Sequence, residues 1–74
     1  MRRKIYDFVV LIEQAPDGMF IAKAPDLQGC YTQGKTIPQV LERIKEAILV
    51  CVEAEDFESP KTKFIGLQKV EVTV

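Results

Sequence analysis

One set of residues in this 74-residue chain has types and a spacing that belong to known chemistry. It is GCYTQGKT, Gly29 to Thr36, which fits G-x-x-x-x-G-K-[ST], the phosphate-binding loop of nucleotide-hydrolysing enzymes. The carboxylates, Asp7 or Glu13, Asp17 or Asp26, and Glu42 or Glu46, follow no motif spacing. A two-metal nuclease would need three or four of them to converge for in-line phosphoryl transfer. The chain has no histidine, which removes Ser-His-Asp and Cys-His nucleophile systems, imidazole acid-base catalysis and His-ligated metals. Cys30 and Cys51 form no C-x-x-C pair and no metal-ligand spacing, and both read as free, buried thiols.

The elements that would carry these residues argue against both chemistries. A phosphate loop follows a buried strand, opens a helix and curls its amides inward, which favours small residues. Here Gly29 follows the bend PDLQ, and Cys30-Tyr31-Thr32-Gln33 has the aromatic and β-branched character of a strand. Thr36 is better used as a helix cap and Lys35 as a turn residue. Asp7 and Glu13 flank an apolar run, Asp17 sits in a turn, and Glu42 and Glu46 lie on the polar face of a helix. Three of them are not expected to converge, and no catalytic, cofactor or metal residue is assigned.

The organisation is that of one small domain, residues 1–74. Ile5 to Gln14 is a strand by composition. Pro16-Asp17-Gly18 is a hairpin turn that sets Ala15 opposite Met19, Ile12 opposite Ala22 and Val10 opposite Ala24. Met19 to Ala24 is the return strand, Pro25 to Gly29 a bend, and Cys30 to Gln33 a short third strand. Thr36 and Gln39 make a capping box ahead of an amphipathic helix ending near Ala54 to Asp56. Its apolar stripe is Ile37, Val40, Leu41, Ile44, Ala47, Ile48, Cys51 and Val52. After a polar connection containing Pro60, LQKVEVTV alternates cleanly and predicts a last strand. The order is β-β-β-α-β: an α+β fold with a small, mostly antiparallel sheet and one helix on one face.

Composition sets outer limits. The chain is 47% hydrophobic and 28% charged with formal net charge −1, an ordinary globular profile without the basic surface of a nucleic-acid binder. The basic start MRRK reads as a solvated N-terminus. The run after it is too short for a signal peptide and lacks a cleavage site, and no stretch reaches the length of a membrane helix, so the expected setting is cytoplasmic.

Widened, the phosphate-loop stretch resembles a family. DGMFIAKAPDLQGCYTQGKTIPQVLERIKEAI is similar to the N-terminal domain of HicB-family antitoxins. The matching features are Phe20 on the second strand, the Pro25-Asp26-Leu27-Gln28-Gly29-Cys30 bend, the Thr32-Gln33-Gly34-Lys35-Thr36 segment and Glu46-Ala47-Ile48 in the helix. Lys35 departs from a position that is often acidic in relatives. The resemblance implies a partial ribonuclease-H-like fold and an antitoxin of a type II toxin–antitoxin system that binds and inhibits a small, basic, HicA-like ribonuclease. Full-length relatives carry a C-terminal DNA-binding segment that this sequence lacks, which places operator binding in doubt. The alternative is a stand-alone oligomeric adaptor of the same fold without a toxin.

The hairpin register also predicts where a partner would dock. Tyr6, Phe8, Val10, Ile12, Phe20, Ala22 and Ala24 share the face the helix covers. The opposite face has an apolar centre and charged rim, and Val9, Leu11, Met19, Ile21 and Lys23 are expected to form a protein interface, either to a partner or in a homo-oligomer. The other reading is that the segment around Phe64 and Ile65 folds back over it.

Overall fold

In the computed structural model, the described residues are 6–55 and 62–74. The basic start, Ile5 and most of the polar connection lie outside them. Three strands, β1 (Leu11–Gln14), β2 (Phe20–Lys23) and β3 (Tyr31–Gly34), form an antiparallel sheet in the order β1-β2-β3. One helix, α1 (Ile37–Glu55), packs on it. The fold is α+β, as the patterning predicts.

The hairpin register is set by its turn. Ile12 stands opposite Ala22 and Gln14 opposite Phe20. The Ala15 amide donates to the Met19 carbonyl at 2.8 Å, and the Gly18 amide to the Ala15 carbonyl at 2.9 Å. Gly18 takes φ +91°, the left-handed region that costs an L-residue most. The Asp17 carboxylate accepts the Met19 amide at 2.9 Å, closing an Asx turn. The second bend is tied by main chain: Ala24 donates to Cys30 at 2.9 Å and Leu27 to Ala24 at 3.1 Å, with Gly29 at φ +69°. Leu27 and Cys30 are buried beneath it.

The helix opens as its cap residues dictate. The Thr36 hydroxyl accepts the Gln39 amide at 3.2 Å. The reciprocal bond lands one residue early: the Gln39 side chain accepts the Lys35 amide, at 2.7 Å, where a standard capping box would engage the cap residue's own amide. The core is Ala22 and Ala24 from the sheet, Leu27 and Cys30 from the bend, and Val40, Ile44 and Ile48 from α1. The two alanines let the helix sit close to β2, as the face assignment requires.

Three expectations are corrected. The first strand is shorter than Ile5 to Gln14, because its partner β2 ends at Lys23 before Pro25; residues 6–10 run on past the ladder, although Phe8 and Val10 still pack on the core. The expected final strand pairs with no strand among the described residues: residues 62–74 are all exposed, Val70 at 78% and Ile65 at 85%. Alternation supplies a strand-forming segment, but a ladder also needs that segment to be brought alongside an edge. The radius of gyration is accordingly 14.2 Å, against about 11 Å for a compact chain of this length. Finally, Cys51 is half-buried rather than fully buried; both cysteines are free thiols.

Candidate protein interface

The strand register builds the outer face of the sheet. Leu11 stands opposite Lys23, and Glu13 opposite Ile21. All four therefore project away from the helix, since Ile12 and Ala22 occupy the other side. Val9 and Met19 follow by alternation. Val9, Leu11, Met19 and Ile21 are half-buried. Lys23 and Glu13 form an ion pair at 2.9 Å, with side chains 53% and 59% exposed. That pair runs diagonally over the Leu11 and Ile21 positions, so the face has an apolar middle under a charged clasp. Phe64 and Ile65 do not cover it, being themselves 56% and 85% exposed.

The residues of the phosphate-loop pattern do other work. Tyr31 to Gly34 is β3, paired to β2 with Gln33 opposite Ile21 and Thr32 opposite Ala22. In an extended strand successive amides point to opposite sides and cannot converge on a phosphate. Gly34 lies against the first turn of α1, Lys35 gives its amide to Gln39, and Thr36 caps. The carboxylates are likewise dispersed. Asp17 is held in its turn, Glu13 pairs with Lys23, and Glu42 lies 3.6 Å from Lys45 on the solvent side of α1. Among the described residues no three acidic or cysteine side chains stand close enough to hold a metal ion.

A second apolar surface escaped the sequence reading. Helix α1 lies over β2 and β3 and leaves β1 uncovered. One reason is Arg43, whose guanidinium donates to the Gln33 carbonyl at 2.9 Å and ties the helix to β3. The offset opens a groove of about 630 Å³. Tyr6, Phe8 and Val10 form one wall, with the Tyr6 and Phe8 rings edge-on at 6.4 Å. Leu41, Leu49 and Val52 on α1 form the other, with Ile44 and Ile48 at its base and Lys45 at its rim. Ile12, expected under the helix, is 39% exposed for the same reason. The apolar residues Leu49 and Val50, outside the main stripe and each 66% exposed, were the available signal that a further side of the helix seeks cover.

The family model described as the HicB-like antitoxin of bacterial toxin–antitoxin systems matches residues 8–71. The chain belongs to the HicB-like antitoxin family. Its similarity extends to a UPF0150 protein of Synechocystis sp., 46% identical over 66 residues that span 89% of this chain and 94% of the relative. A UPF0150 protein of Archaeoglobus fulgidus is 42% identical over 65 residues, covering 88% and 93% of the two chains. No solved structure matches at a significant level. In this HicB-like chain the family match spans the hairpin, the bend, the helix and most of the C-terminal segment. No helix among the described residues is long and apolar enough to cross a membrane.

Proposed function

We propose that this HicB-like protein is an antitoxin-like subunit that binds a small, basic, HicA-like ribonuclease in the cytoplasm and inhibits it by protein contact, without chemistry of its own. Family membership over residues 8–71 carries the reading. The outer sheet face supplies a docking surface, with Val9, Leu11, Met19 and Ile21 as its apolar centre and the Glu13–Lys23 pair at its rim. An acidic chain of pI about 5.3 also suits a basic partner, since opposite net charges speed encounter.

The test is co-expression of the tagged chain with any small basic protein encoded beside it, followed by an RNA-cleavage assay on the purified complex. A stoichiometric complex in which cleavage is suppressed supports the proposal. Leu11→Glu should release both binding and inhibition while leaving the helix signal in circular dichroism unchanged. Full inhibition by Leu11→Glu would move the docking surface elsewhere, and recovery of the chain alone would favour the adaptor reading. That second reading draws on the exposed valines of the C-terminal segment, which offer a surface for self-association.

A further inference from the structure

Among the described residues the protein has an apolar groove without a cover and an alternating apolar segment outside the sheet. We infer that the two belong to each other across a pair of molecules: the C-terminal segment of one copy lies in the groove between α1 and residues 6–10 of a second copy, and the exchange is reciprocal. The segment is built as a half-buried strand. Val70, Val72 and Val74 fall on one side by alternation and Lys69, Glu71 and Thr73 on the other. The three valines are 78%, 70% and 116% exposed in the single chain, which leaves the apolar side of the strand in water.

The dimensions agree. From Leu41 to Val52 the helical wall runs about 16 Å at 1.5 Å per residue. Val70 to Val74 spans about 13 Å as a strand. The valine side would meet Leu41, Leu49 and Val52, and the charged side would face solvent next to Lys45. The site also adjoins β1, which among the described residues has a neighbouring strand on one side only, and its open edge can align an incoming strand. In the structure the segment stands clear of its own groove, and the molecule is 50 Å long but only 18 Å across its thinnest dimension. An arm displayed in this way reaches a second body, and a two-fold pairing fills both grooves at once. This inference is independent of the toxin reading, because it uses the helix side of the sheet and not the outer face.

The experiment uses the full chain. Mass measured by light scattering on a sizing column should give a dimer for the native protein. Val72→Asp and Leu49→Asp, both at exposed positions, should each weaken the dimer at least tenfold with the circular dichroism of the fold retained. Leu11→Glu should leave the dimer intact. In a Cys51→Ala background, chains carrying Leu49→Cys are mixed with chains carrying Val72→Cys and oxidised. A disulfide between the two different chains is expected, and no single chain in the mixture can form it internally. A monomeric native protein overturns the proposal, as does a dimer that survives Val72→Asp but falls apart with Leu11→Glu. A doubly substituted Leu49→Cys/Val72→Cys chain that cross-links only within itself also overturns it, by showing that each arm fills its own groove.

Discussion

Gly34 at the end of β3 lies so close beneath Val40 of α1 that a Cβ on the glycine would stand 3.1 Å from the Val40 backbone nitrogen and 3.3 Å from its Cα. The neighbour is main chain and cannot rotate away, so a methyl group there would require the first helical turn to give by a few tenths of an ångström. Gly34→Ala should therefore push the start of α1 off the sheet and destabilise the fold by about 1–3 kcal/mol. Urea unfolding followed by circular dichroism measures it. Gly29 offers the contrast: its Cβ would meet nothing within 4 Å, but φ is +69°. Gly29→Asn should cost less than Gly29→Ala, because asparagine tolerates the left-handed region better.

The helix start gives a prediction in both directions. Thr36→Ala removes the acceptor for the Gln39 amide and should cost about 1 kcal/mol. Gln39→Glu keeps the acceptor for the Lys35 amide and makes it a carboxylate, in a first turn that has no acidic residue. Favourable interaction with the helix dipole should add about 0.3–1 kcal/mol. Thermal melts of the two variants should shift to opposite sides of the native protein, and a lower midpoint for Gln39→Glu would mean that the bond to Lys35 needs the amide.

The tie between Arg43 and the Gln33 carbonyl helps hold α1 over β3. Arg43→Ala should cost about 1 kcal/mol, less than is usual for a charged donor because the bond is exposed. It should also loosen the α1–β3 contact, seen as faster hydrogen exchange at the strand edge near Gln33. Unchanged exchange there would show that packing at Val40 and Gly34 alone holds the helix in place.

The two sides of α1 should respond differently to truncation. Ile44 is 1% exposed in the core, and Ile44→Ala should cost about 2–5 kcal/mol at any protein concentration. Leu49 is 66% exposed, so Leu49→Ala should barely change unfolding of an isolated chain. If its groove is filled by a second copy, the same substitution lowers the melting midpoint more at high protein concentration, where dimer dominates, than at low. Denaturation at two concentrations a hundredfold apart distinguishes the two behaviours.

Local chemistry by itself determined much of this protein. The Pro16-Asp17-Gly18 turn sets the hairpin register, the Thr36 and Gln39 side chains set the helix start, and the residues from Phe20 to Ile48 carry the family resemblance. Each rests on residues close in the chain, where side-chain type and backbone preference decide the outcome. Register then assigned Leu11, Ile21 and Lys23 to one face and Ala22 to the other, because side chains alternate along a strand whatever surrounds it. Only the tertiary structure decided how α1 sits across the sheet. That offset depends on the close approach at Gly34 and on the reach of Arg43 to Gln33, which bring together residues from separate elements. From it come the groove beside Tyr6 and Phe8 and the exposure of Ile12 and Leu49. The C-terminal valines show the same division: their alternation specifies a strand, but a strand needs a partner edge, and whether one is within reach is a property of the packed molecule.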